Sequence, residues 1–100
     1  MSVLTDAELD RRLSELEGWQ RAQVSRASAD DAIVRECKLA DFAAAIAFVN
    51  RVAELAEAAN HHPDILVHGW NRVRLTLSTH SQGGLTDADF ALAAQIDGLT

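Results

Sequence analysis

Pro63 is the single proline among 100 residues, and it fixes where the longest ordered segment of the chain must end. The residue before a proline is driven out of the helical region, so the apolar-periodic stretch that opens at Asp41 has to close near Asn60. That stretch predicts the longest helix, over 41–60. Phe42, Ile46, Phe48, Val49, Val52, Ala53, Leu55, Ala56 and Ala59 take up about half of its circumference, and Asn50, Arg51, Glu54 and Glu57 share the remainder. A helix covering only its own core needs a stripe of about 100°. The wider arc predicts burial on two sides. Phe42, Ile46, Val49 and Ala53 form one half and Phe48, Val52, Leu55 and Ala59 the other, with one half left for a partner subunit.

The flanking segments read in the same way. Thr5 and Glu8 have the spacing of a capping box, Leu4 and Leu9 that of a hydrophobic staple. Leu9, Leu13 and Leu16 mark one face of a first helix that Glu17-Gly18 ends. Residues 19–27 and 32–39 read as strands, with Ser28-Ala29-Asp30-Asp31 as the turn between them. Arg35 interrupts the alternation of Ile33, Cys37 and Leu39, which predicts a bulge or an edge position. Beyond Pro63, residues 65–68 and 70–79 read as a hairpin turning at Gly69. Its second arm sets Val73, Leu75, Leu77 and Thr79 against Arg72, Arg74, Thr76 and Ser78. Gln82-Gly83-Gly84 is a loop, and the last helix repeats the entry of the first: Leu85 as staple, Thr86 as cap, Asp89 as third-position acid, Phe90 as staple partner. The order is α-β-β-α-β-β-α. Two hairpins and segregated helices predict an α+β fold, a four-stranded antiparallel sheet with three helices packed on one face, as a single domain over 1–100.

Composition bounds the function. Hydrophobic residues are 48% of the chain, and the chain holds 18 alanines, so few large side chains remain for a core. A chain of this length buries only about two-thirds of its unfolded surface, which makes self-association an expected source of stability. The net charge of −6 and pI near 5.0 argue against nucleic acid, whose phosphates need a basic face, and against anionic membranes. The longest apolar run, 42–49, falls far short of the ~20 residues of a spanning helix. The first residues lack a basic region followed by an apolar stretch, so no signal peptide is expected. Cys37, the only cysteine, excludes an intrachain disulfide and a Cys-rich zinc module, and its apolar neighbours predict a buried thiol. Cytoplasmic residence is the expectation.

Chemistry concentrates on His61, His62 and His80. Imidazole, with an unperturbed pKa of about 6.5, both takes up and releases protons near neutral pH, and a helix C-terminus favours its cation. Simpler readings stand beside this one. Adjacent histidines before a proline can finish a helix, His80 can be a strand-end residue, Glu57 one turn before His61 can be a surface pair, and capping alone accounts for Asp89. His68, in the hairpin turn, is expected to be solvated. Three histidines could supply nitrogens to zinc. Adjacent side chains diverge, however, and no HExxH, HxH or CxxC spacing occurs, so no metal site is expected. No phosphate loop, GxSxG elbow or dinucleotide fingerprint occurs either.

The combined spacing carries more than its parts. Glu57, His61-His62-Pro63, Trp70, His80 and Asp89, together with Asp41-Phe42, Asn71, Val73, the run Leu75-Thr76-Leu77-Ser78-Thr79-His80, Gly84-Leu85-Thr86 and Leu16, Gly18 and Trp19, resemble the pterin-4a-carbinolamine dehydratases over essentially the whole chain. Asn60 stands where many members carry Asp and keeps a hydrogen-bonding side chain without the charge. Trp70 stands where Tyr is common.

The resemblance implies a carbon–oxygen hydro-lyase that removes water from a 4a-hydroxytetrahydropterin to give the quinonoid dihydropterin, in tetrahydrobiopterin recycling. General acid–base catalysis suffices, with no metal or other cofactor. It implies His61 and His80 as the acid–base pair, His62 as a third catalytic candidate, and Asn60, Ser78, Thr79 and Ser81 beside the histidines as pterin-binding groups. Glu57, Trp70 and Asp89 support them. It further implies a homodimer or homotetramer and a functional link to an aromatic amino-acid hydroxylase. Some members also bind transcription factors or act in protein assembly, so a non-catalytic binding role on the same fold is the alternative.

Overall fold

Along β4 (Arg72–Leu77), Val73, Leu75 and Leu77 have no exposed surface, while Arg72 and Arg74 are exposed. This alternation gives the sheet one dry face and one wet face. The computed structural model describes residues 2–25 and 28–100. In it β1 (Trp19–Ser25), β2 (Ser28–Lys38), β3 (Asp64–His68) and β4 form an open antiparallel sheet in the order β1-β2-β4-β3. Ile33, Arg35 and Cys37 of β2 stand opposite Leu77, Leu75 and Val73, and Ile65 and Val67 of β3 stand opposite Leu75 and Val73. Onto this face pack Leu9 of α1 (Asp6–Ser14), Phe48 and Val52 of α2 (Phe42–Ala59), and Phe90 and Ile96 of α3 (Asp87–Asp97). Each fully buried side chain of this size contributes about 1.5–3 kcal/mol. The expected α-β-β-α-β-β-α order and α+β class hold.

Local chemistry sets the helix limits. Thr5 and Glu8 close the expected capping box, with Thr5 N–H donating to Glu8 Oε1 at 3.0 Å and Glu8 N–H to Thr5 Oγ1 at 3.3 Å. Asp41 Oδ1 accepts the Ala44 N–H at 2.7 Å. α1 stops at Ser14, before the expected Glu17-Gly18, because the Ser14 hydroxyl donates to the Arg11 carbonyl at 2.6 Å and the chain tightens there. On α2, Phe48 and Val52 turn inward, while Phe42 and Ile46 are 55% and 38% exposed. Ala59, grouped above with the inward half, is exposed.

Two expectations about the first hairpin are corrected. Residues 28–31 belong to β2, with Ser28 opposite Ser25 and Asp31 opposite Gln23. Asp31 finds partners in the sheet that outweigh its turn preference: Arg21 donates to its carboxylate at 2.9 and 3.2 Å, and Ser78 Oγ donates to its carbonyl at 2.7 Å. The expected extension of β1 to Ala27 lies outside the described residues. Nor is β2 an edge strand. Arg35 faces the helices because it pairs with Asp97 of α3, which also accepts Trp19 Nε1–H at 2.8 Å. The register shift between β1 and β2 falls between Gln23 and Ser25 instead.

The second hairpin is shorter than expected. Trp70 and Asn71 lie in its turn, and β4 ends at Leu77. Thr79 then bridges to Gly84 around a 3-10 turn, His80–Gln82, so His80 follows the strand rather than ending it. α1 is held to the entry of α3 by Arg12, whose guanidinium meets Asp87 Oδ1 at 2.6 Å and lies 5.0 Å from the centre of the Phe90 ring.

Candidate active site

The end of α2 places the first histidine. Asn60 has a left-handed backbone, φ +50. Its N–H donates to Glu57 O, and His61 N–H reaches back to Ala56 O at 3.1 Å. These two bonds form a Schellman motif, which satisfies the last carbonyls of the helix and reverses the chain. After glycine, asparagine tolerates that conformation best, which gives the residue at position 60 a backbone reason independent of charge. His61 is thereby fixed by main-chain bonds before its side chain makes any contact.

Its imidazole crosses to α3, where Nε2 lies 2.6 Å from Asp89 Oδ1. Asp89 has no exposed surface, and the His61 side chain is 15% exposed. A buried carboxylate is costly unless its oxygens are hydrogen-bonded, and both are. Asp89 Oδ2 accepts the Thr86 N–H at 2.9 Å and the Thr79 hydroxyl at 2.8 Å. The Thr79 and Thr86 hydroxyls are themselves 2.8 Å apart. Three segments thus meet at one carboxylate: the end of α2, the exit of β4 and the first turn of α3. No buried side-chain polar atom among the described residues lacks a partner.

The remaining site candidates divide around this network. His80 and Ser81 follow Thr79 directly and are exposed, so the network fixes the backbone from which His80 projects. His62 turns the other way, its Nε2 2.8 Å from Glu57 Oε2 on the exposed surface. Ser78 is buried with its hydroxyl on Asp31 O, and Thr79 is buried with its hydroxyl on Asp89. Trp70, 63% exposed with φ +60, lies in the hairpin turn, at the opposite end of the β3–β4 pairing from Asp64. Asn71 ties that turn to the chain before α2, with its carbonyl accepting the Leu39 N–H at 2.8 Å and its Nδ2 donating to Leu39 O at 2.9 Å.

Two features escaped the sequence reading. Thr86 reads as a helix cap, and its hydroxyl also reaches Thr79 Oγ1, 2.8 Å away, beside the carboxylate that holds His61. Nothing in the spacing signals this, because the Thr79–Thr86 contact depends on how β4 leaves the sheet. His68, expected to be solvated, is half-buried on the wet face of the sheet and paired with Glu36, which also accepts Arg74 Nε–H at 2.9 Å. Burial pushes the Glu36 carboxyl up, but the Arg74 and His68 hydrogen bonds together hold it below its ordinary value. Cys37 is buried as expected, and burial raises its thiol pKa. No group of three or more metal-ligating side chains converges among the described residues.

Known proteins resemble this chain over most of its length. Residues 2–99 match the family model described as Pterin 4 alpha carbinolamine dehydratase. A Chloroflexus aggregans protein named "Putative pterin-4-alpha-carbinolamine dehydratase" is 50% identical over 97 residues, covering 97% of this chain and 96% of that protein. The crystal structure of a transcriptional coactivator/pterin dehydratase from Brucella melitensis superposes with a TM-score of 0.87 at 35% identity, covering 98% of each chain. A pterin dehydratase-like protein identified as a RuBisCO assembly factor in the alpha-carboxysome superposes with a TM-score of 0.66 at 25% identity, covering 83% of this chain and 89% of that one.

Proposed function

Because this chain belongs to the pterin-4a-carbinolamine dehydratase family, we propose that it removes water from 4a-hydroxytetrahydropterin by histidine general acid–base catalysis. In this reaction the bond from C4a to its hydroxyl breaks, the hydroxyl leaves as water after receiving a proton, and N5 loses its proton as the N5–C4a double bond forms. Two proton transfers are needed, and suitably placed side chains typically supply about 10²–10⁴-fold in rate for such steps.

The observation that carries the reading is the His61–Asp89 contact at 2.6 Å. A carboxylate on one ring nitrogen orients an imidazole, so His61 is held in place to exchange one proton. His80, exposed on the turn that follows Thr79, supplies the other. His62, Asn60 and Ser81 are the remaining groups at this end of the molecule that can meet the pterin. The product is a quinonoid dihydropterin for reductive recycling, and the setting is a cytoplasm containing an aromatic amino-acid hydroxylase. A stopped-flow assay on freshly generated 4a-hydroxytetrahydropterin, with chelator present, tests the proposal. Accelerated decay of the carbinolamine is expected, and decay at the buffer rate rejects it.

A second reading is favoured by the outward face of α2. Phe42 and Ile46 are large apolar side chains left uncovered by the chain's own core, and such surfaces mark association sites. The reading is a homodimer or homotetramer joined through this helix, with a protein-binding role beside or in place of catalysis. The coactivator and assembly-factor names of the two structural relatives support it.

A further inference from the structure

The acid–base reading gives His61 a proton to handle without saying which ring nitrogen handles it. A count of hydrogens around Asp89 answers that question. The Thr86 N–H can only donate, and it points at Asp89 Oδ2 from 2.9 Å. Thr79 has one hydroxyl hydrogen, which goes to the same oxygen at 2.8 Å. The Thr86 hydroxyl, 2.8 Å from Thr79 Oγ1, must then supply the hydrogen of that contact, because Thr79 has no second one. The chain of donors therefore runs Thr86 to Thr79 to Asp89. All of these groups are buried, so water does not compete for them. With two donors on Oδ2, the oxygen left for His61 is Oδ1, and a carboxylate oxygen accepts.

We propose that Thr79 is a positioning residue for His61: backed by Thr86, it fixes Asp89 so that the carboxylate holds His61 in its Nε2–H tautomer and leaves Nδ1 to exchange the proton with substrate. The role of Nδ1 rests on the dehydratase reading. The tautomer does not, and the two can fail separately.

The test is long-range 1H–15N NMR of the protein labelled with 15N-histidine, at a pH about two units above the ordinary histidine value of about 6.5. Wild-type His61 is expected to show a protonated Nε2 and an unprotonated Nδ1, with a slowly exchanging, strongly deshielded Nε2 proton. In Asp89→Asn the Thr86 and Thr79 donors retain the amide oxygen at the Oδ2 position. The amide NH2 then faces His61, and the tautomer is expected to invert to Nδ1–H. A wild-type Nδ1–H tautomer, or no inversion in Asp89→Asn, overturns the proposal.

Thr79→Val removes one of the two donors on Oδ2. The Nε2 proton signal is expected to move upfield and exchange faster. In the dehydratase assay kcat is expected to fall about tenfold, with KM within about twofold. Thr79→Ser keeps the hydroxyl and is expected to recover most of both readouts. A folded Thr79→Val with the wild-type proton signal and wild-type kcat removes Thr79 from the role. If Thr79→Val does not fold, the wild-type and Asp89→Asn spectra still decide the tautomer, and Thr79→Ala replaces it for kcat. The expected spectra in a protein without dehydratase activity reject the functional reading while upholding the tautomer.

Discussion

Thr86 and Asp89 form the N-terminal cap of α3, and the same Asp89 carboxylate holds His61. One oxygen accepts the Thr86 N–H at 2.9 Å and the other lies 2.6 Å from His61 Nε2. The cap that starts a helix and the group that orients an imidazole are one side chain, so stability and activity are coupled at this position.

Asp89→Ala is therefore expected to cost stability as well as turnover. It leaves the Thr86 N–H and the Thr79 hydroxyl without their acceptor in a site closed to water. Loss of the Thr86 N–H bond as a cap is worth about 1 kcal/mol, and the Thr79 hydroxyl left unpaired about 1–3 kcal/mol. Urea denaturation is expected to show a loss of about 2–4 kcal/mol, a large share of the 5–15 kcal/mol typical of a domain. A loss below about 0.5 kcal/mol would contradict the network described.

The histidines are expected to separate in activity. His61→Ala and His80→Ala should each reduce turnover by about 10²-fold or more. Their double variant should lose less than the product, since groups acting together are non-additive. His68→Ala, on the wet face of the sheet and paired with Glu36, should leave turnover near wild type. Stopped-flow traces on the four proteins make the comparison, and a large loss at His68 with little at His80 would reverse the assignment.

Glu36 predicts a pH dependence of folding. Its pKa in the folded protein lies below the ordinary 4.5, because the Arg74 and His68 hydrogen bonds together outweigh burial. The unfolded chain then binds more protons between the two values. The stabilisation is fully present above pH 4.5 and is lost as pH falls through the lower folded value. Wild type and Glu36→Gln should differ in urea midpoint at pH 6, and the difference should shrink as pH falls below 4.5 and vanish below the lower folded value. The difference will be modest, since the pair is partly solvated.

Cys37 should be inert in the folded protein. Burial raises its thiol pKa, and the thiolate is the reactive form. An aromatic disulfide reagent at neutral pH is expected to titrate it quickly in urea and slowly without, at a rate that follows unfolding.

The outward face of α2 predicts self-association. Sedimentation equilibrium at micromolar concentration should give a mass at least twice 10.9 kDa. Ile46→Asp should return the mass to that of one chain with an unchanged circular dichroism spectrum. A wild-type protein already at 10.9 kDa would leave Phe42 and Ile46 as surface residues without a subunit contact.

The sequence by itself determined whatever rests on short-range spacing. Pro63 set the limit that α2 cannot pass, Thr5 with Glu8 and Thr86 with Asp89 opened α1 and α3, and the alternation from Arg72 to Leu77 set the two faces of the sheet. Each of these is a relation between residues within one or two turns or strand positions, where backbone geometry alone brings them together. The sequence also marked His61, His80 and Asp89 as belonging together, through their resemblance to a family. Only the tertiary structure decided what these residues do to one another. Arg35 interrupts the apolar alternation of its strand because Asp97 of α3 lies beside it, and residues 28–31, turn-like in composition, extend β2 because Arg21 and Ser78 supply partners for Asp31. The Thr86–Thr79–Asp89–His61 chain joins a helix cap, a strand exit and a helix end. Its order is set by the β2–β4 pairing and by the packing of α2 and α3 on one face, and contacts between residues distant in sequence leave no periodic trace in the chain that makes them.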